Sequence, residues 1–235
     1  MPQFGYQRTI WVYLPPDYAT TTKHYPVLYM QDGQNLFVDS ASFAGEWRLD
    51  ETLDSLFVIG DGGCIVIGIE NGGERRMAEY MPNTHHKYGG GEGANYIAFI
   101  INTLKPYVDS VYRTKPEGAF TAIGGSSLGG LISFYGATHH NDVFGNALIF
   151  SPSFWIDSTY SSWMRKGSPF CVFVAGSSED DGDVMDKIIS MKSTMFALGH
   201  KAVFSFPADG EHREWFWSRE FPKAYQALFK TKNHF

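Results

Sequence analysis

Along the chain, short apolar runs alternate with stretches in which apolar positions recur at helical spacing. The short runs predict strands over residues 8–14, 25–30, 64–69, 119–123, 146–150, 170–174 and 202–206. Helical spacing predicts helices over 49–57, 94–111, 131–138, 183–198 and 215–229, the second of them carrying Pro106. Residues 70–93, rich in Gly, Asn and charge, read as loop. The alternation predicts a mostly parallel central sheet with helices on both faces. No repeat, low-complexity tail or linker interrupts it, so one α/β domain over residues 1–235 accounts for the whole sequence.

Composition narrows the function without choosing it. A chain of 235 residues buries enough surface to need no disulfide or metal staple. The aromatic share of 16% suits an aromatic-lined cleft and an aromatic core equally well. A net charge of −6 and the absence of any Lys/Arg cluster exclude nucleic acid and anionic membrane surfaces as partners. The first residues hold no apolar leader, and no run approaches a membrane span, so cytoplasm is the expected location, with export of a trimmed form left open. Cys64 and Cys171 each sit in an apolar strand and read as small core residues. No cofactor is called for. Self-association into a homo-oligomer stays compatible with the sequence.

The chemistry gathers at Gly125-Ser126-Ser127-Leu128-Gly129, a G-x-S-x-G motif between a predicted strand and a predicted helix. In that context a sharp turn lifts a serine hydroxyl above the sheet, the nucleophile elbow of α/β-hydrolases. A phosphate-cradling loop is the competing reading, but no Lys-Ser/Thr pair follows. The helix start behind Ser127 also supplies the N–H of Leu128 to a developing oxyanion. A serine needs a base, and the base needs an orienting carboxylate, in the chain order Ser, acid, His. His24, His85 and His86 precede the serine; His139 and His140 follow it too closely; His200 lies at the wrong end of the sheet, and His234 in the tail. His212, in the loop after the last strand, remains. The acid belongs just past residues 170–174, where Glu179, Asp180, Asp181 and Asp183 are all available. A calcium loop there lacks the spaced ligands and distal Glu, so no metal is expected. A second oxyanion N–H is expected from Gly33 or Gln34, in the turn after residues 25–30.

Residues 25–37 (YPVLYMQDGQNLF), Gly45-Glu46-Trp47, residues 76–82 (RMAEYMP), Leu104-Lys105-Pro106, the serine motif, Ser151-Pro152-Ser153-Phe154-Trp155 and Glu211-His212-Arg213-Glu214 together resemble the esterase D-like family of α/β-hydrolases. That family includes feruloyl and acetyl xylan esterases, enterochelin esterases and S-formylglutathione hydrolases. The resemblance covers almost the whole chain. It implies an α/β-hydrolase fold without a cap domain, with Ser127 and His212 as nucleophile and base. It places the acid three residues after Gly176, at Glu179, with Asp180 as the alternative. It also implies Arg76, Glu79 and Tyr80 beside the cleft, Arg76 and Glu79 as a structural ion pair, and Trp47 and Trp155 as cleft-wall aromatics or core. The expected activity is serine esterase chemistry on a small-molecule or carbohydrate ester. An acyltransferase to a sugar acceptor, an S-formylglutathione-type thioester hydrolase and a non-catalytic binding module are the rivals.

Overall fold

The computed structural model describes residues 1–164, 167–179 and 182–230. In chain order the strands and helices are β1 (Ile10–Tyr13), β2 (Val27–Gln31), α1 (Leu49–Val58), β3 (Ile65–Ile69), α2 (Arg76–Tyr80), the short hairpin β4 (Thr84–His85) and β5 (Gly89–Gly90), α3 (Gly93–Phe99), α4 (Lys105–Val111), β6 (Thr121–Ser126), α5 (Leu128–His139), β7 (Asn146–Phe150), β8 (Phe170–Val174), α6 (Gly182–Ala197), β9 (Ala202–Ser205) and α7 (Glu214–Lys230). Seven strands form one sheet in the order β1-β3-β2-β6-β7-β8-β9. Only β1 is antiparallel, pairing Ile10 with Ile69 and Tyr13 with Val66; the other neighbours run parallel. The predicted mostly parallel sheet with helices on both faces is what forms.

The period of two along each strand divides the core. Tyr29, Ile67, Ile123, Ile149 and Phe173 face one layer, with Ile97 and Ile100 from the α3 region, Leu131 and Phe134 of α5, and Ile188 and Met191 of α6. Leu28, Met30, Val66, Leu148, Phe150 and Val172 face the other, against Leu49 and Leu53 of α1 and Phe221 and Leu228 of α7. Strands covered on both faces are mostly apolar, and β2, β3, β6 and β7 are buried throughout, their polar residues Gln31, Thr121, Ser126 and Asn146 lying at strand ends.

Two predictions needed adjusting. The helix expected over 94–111 is divided by a π-helical turn, Ile100–Leu104, in which Lys105 N–H reaches back to Ile100 C=O. Pro106 follows directly, and the wider turn accommodates a residue that has no N–H and needs room for its ring. The loop expected over 70–93 contains α2 and the β4–β5 hairpin, elements of five and two residues that are too short for periodicity to show. Among the described residues no helix is long and apolar enough to cross a membrane.

Candidate active site

Ser127 sits between the end of β6 and the start of α5 with φ 56° and ψ −124°, a conformation L-residues rarely adopt. Such backbone costs of order 1–3 kcal/mol and persists only where its surroundings enforce it. Here they do: Ser127 N–H donates to Phe150 C=O at 3.0 Å, and its own C=O accepts from Leu131 N–H at 3.0 Å and Ser153 N–H at 3.1 Å. The result points the side chain off the carboxyl end of the parallel strands, where open α/β sheets bind ligands. Leu128 is the first residue of α5, and its N–H is one of those a helix leaves without an internal acceptor. The Ser127 hydroxyl is hydrogen-bonded to Ser153 Oγ at 3.1 Å.

Glu179 meets His212, which lines the same cleft as Ser127. Glu179 Oε2 lies 3.2 Å from His212 Nδ1, and the carboxylate is almost fully buried. Oε1 accepts the Gly176 N–H at 2.8 Å and the Ser151 hydroxyl. Ser151 in turn receives the Trp217 indole N–H at 2.9 Å. Three hydrogen-bonding partners around one buried carboxylate fix it in angle. A carboxylate on Nδ1 sets the tautomer that leaves Nε2 as the acceptor. Trp217 also packs edge-on against the imidazole, with centroids 5.0 Å apart. The loops carrying Glu179 and His212 touch at glycine: a Cβ on Gly176 would lie 2.1 Å from Gly210 C=O. Asp180, the alternative acid, lies outside the described residues.

The turn after β2 is held by charge. Asp32, left-handed at φ 55°, precedes a short 3-10 turn over Gly33–Asn35. Its carboxylate takes Arg76 Nε at 2.7 Å and Nη2 at 2.9 Å, and Asn71 Nδ2 at 2.7 Å. Its backbone N–H donates to Tyr80 Oη at 3.2 Å. Burial alone would lower the Arg76 guanidinium, but Asp32 outweighs it and holds the group above its ordinary value. Gly33 packs so tightly on β3 that a Cβ would come within 2.5 Å of the Gly68 carbonyl carbon. Gln34, partly exposed, lines the cleft, while its side-chain carbonyl accepts Asn71 N–H at 3.2 Å.

These parts border one cleft of about 760 Å³, whose lining includes Asp32, Gln34, Arg76, Ser127, His212 and Trp217. Other expected members sit elsewhere. Arg76 is not paired with Glu79; it faces Asp32, and Glu79 is buried against Arg8 at 2.7 Å and bonded by Tyr6. The two share a helix one turn apart but point to different partners. Tyr80 is fully buried, so it props the Asp32 turn rather than facing a ligand, and burial raises its phenol. Trp47 is core, packed on Phe150 and Trp217 at 5.0 and 5.7 Å. Trp155 is 41% exposed and edge-on to Tyr88, outside the cleft lining. Sequence reasoning had not picked out Ser151, Ser153 or Trp217 as site residues. Their signal lay in the Ser-Pro-Ser run that follows β7, where strand ends of such sheets carry chemistry.

Comparison with known proteins gives a consistent family. The family model described as "Putative esterase" matches residues 2–188. The uncharacterized protein YbbA of Bacillus subtilis is 28% identical over 182 residues, covering 73% of this chain and 69% of its own. The enterobactin esterase FES of Shigella flexneri superposes with a TM-score of 0.80 at 17% identity, over 99% of this chain and 58% of that one. A ferulic acid esterase superposes with a TM-score of 0.72 at 19% identity, over 97% of this chain and 93% of its own. At these identities the structural likeness establishes the α/β-hydrolase fold.

Proposed function

The chain belongs to the putative esterase family, an ester-hydrolysing enzyme family, and from that premise we propose that it cleaves short-chain or carbohydrate-linked esters through Ser127, His212 and Glu179. The observation that carries this reading is the 3.2 Å contact of Glu179 with His212, in the cleft onto which the strained Ser127 opens. In the first step the Ser127 hydroxyl turns from Ser153 toward His212, which takes its proton as Oγ attacks the ester carbonyl. The N–H groups of Leu128 and of Gly33 or Gln34 receive the oxyanion. Gln34 is favoured over Gly33, because it borders the cleft while Gly33 is pressed against β3. Each such donor contributes about 3 kcal/mol to lowering the barrier. The tetrahedral intermediate collapses, and the alcohol leaves with the proton held by His212. Water then gives a proton to the same histidine, attacks the acyl-enzyme and releases the acid, returning the proton to Ser127.

Acetyl and feruloyl esters are the favoured acyl classes. The likeness to a ferulic acid esterase supports an aromatic acid, and Glu70, Asn71 and Glu214 in the cleft lining support a hydrophilic alcohol half. The test is turnover of p-nitrophenyl acetate by the wild type and by Ser127→Ala. The proposal expects the substitution to abolish turnover with the far-ultraviolet spectrum unchanged; undiminished hydrolysis by the folded variant would end it.

A further inference from the structure

The charge balance of the cleft favours one sign of substrate. Asp32, Glu70 and Glu214 line it, while the lining carries a single arginine, Arg76, and no lysine. That arginine is engaged by both oxygens of Asp32. The neighbouring arginines are also matched: Arg75 with Glu92 at 3.1 Å, Arg8 with Glu79 at 2.7 Å, and Arg213 with Glu211 at 3.5 Å. Among the described residues neither Glu70 nor Glu214 has an ion-pair partner. Glu214 opens α7, where the helix N-terminus favours its anionic form. Burial raises the carboxyl and Asp32 adds to it, while its own backbone N–H, His212 and Arg76 pull the other way. The rest of the lining is amide, small or apolar, with Phe43 almost fully exposed at the rim. An aromatic face of that kind attracts alkylammonium groups. The whole chain, at −6, adds to the same field.

We propose that the cleft selects esters carrying a cationic, ammonium-type group over uncharged ones, and rejects esters carrying a carboxylate. Glu70 and Glu214 supply the attraction, since Asp32 is neutralised by Arg76. This rests on the Ser127–His212–Glu179 reading of the same cleft and adds to it the class of substrate.

The test uses three acetates of matched size: acetylcholine, its uncharged isostere with a tert-butyl group in place of the trimethylammonium, and the acetate of a hydroxycarboxylate of equal length. The expected order of kcat/KM is cation, neutral, anion. The cation is favoured over the anion by about tenfold at low ionic strength, and the ratio shrinks as salt is added. In the double variant Glu70→Gln, Glu214→Gln the ratio falls toward one. A flat or reversed order in the wild type, with the uncharged ester and p-nitrophenyl acetate turned over, overturns the charge selection and leaves the esterase reading standing. A ratio unchanged in the double variant overturns the assignment to Glu70 and Glu214. Failure to hydrolyse any of the esters overturns the esterase reading and the inference with it.

Discussion

The indole N–H of Trp217 donates to the buried hydroxyl of Ser151 at 2.9 Å, and that hydroxyl donates onward to Glu179. Ser151 has φ 40°, so the backbone at the end of β7 is strained where its side chain meets the carboxylate. The chain Trp217–Ser151–Glu179 fixes the angle at which the acid presents itself to His212. Replacing Ser151 with Ala or with Gly removes the hydroxyl, and each is expected to lower kcat about tenfold with KM little changed. Glycine relaxes the positive φ and alanine does not, so Ser151→Gly is expected to be the more stable of the two by about 1 kcal/mol. Steady-state kinetics and urea unfolding of both variants check this. Wild-type kcat in both would show that Glu179 needs no such support.

The loops carrying Glu179 and His212 meet where Gly176 faces Gly210, and a methyl group at Gly176 would overlap the Gly210 carbonyl. Glu179 lies three residues after one glycine and His212 two residues after the other, so the contact sets their spacing. Gly176→Ala is expected to reduce kcat at least tenfold, because an ångström of displacement in a catalytic contact costs about that much or more. A crystal structure of the variant should show the Glu179–His212 distance lengthened. Unchanged kinetics would mean that the loops can part without consequence.

Asp32 and Arg76 pin the turn that carries Gly33 and Gln34. Arg76→Gln leaves the Asp32 carboxylate nearly buried without its bidentate partner. The Arg76 side chain keeps 27% of its surface exposed, so the cost is expected to be about 2 kcal/mol, below that of a fully buried pair. Urea unfolding measures it. Because the same turn carries the proposed second oxyanion donor, kcat is expected to fall as well, and a stability loss without a kinetic one would separate the turn from catalysis.

Both cysteines lie in the sheet layers and are free and fully buried. Burial pushes the Cys171 thiol up to about 12, and Cys64 is raised well above its usual value by the same cause. A raised pKa leaves less thiolate at a given pH, so at pH 8 neither thiol is expected to react with a thiol-selective disulfide reagent until the protein unfolds. Rapid modification of the native protein would contradict that burial.

What the sequence revealed, and what it hid, follows from range. The strands β2, β3, β6, β7 and β8 were legible because a strand covered on both faces is apolar along most of its length. The turn at Ser127 was legible because its glycines and its place between strand and helix are local. His212 came from elimination by chain order, an argument about topology that needs no contact to be known. The pairing of Arg76 with Asp32 was hidden because the partners are 44 residues apart, one in the turn after β2 and the other at the start of α2. The pairing of Arg76 with Glu79 was what the family resemblance implied. Trp47 and Tyr80 sit in runs whose burial is decided by α7 and α3 packing over them, which no local pattern records.

The central claim is that Ser127 is the nucleophile, and covalent trapping tests it most directly. Incubation with a fluorophosphonate, followed by digestion and mass spectrometry of the peptides, should place one phosphonyl group per chain on Ser127. Labelling should be lost in Ser127→Ala and slowed at least a hundredfold in His212→Ala, because the attacking hydroxyl needs its base. A label on another serine, or undiminished labelling of Ser127→Ala, would contradict the account.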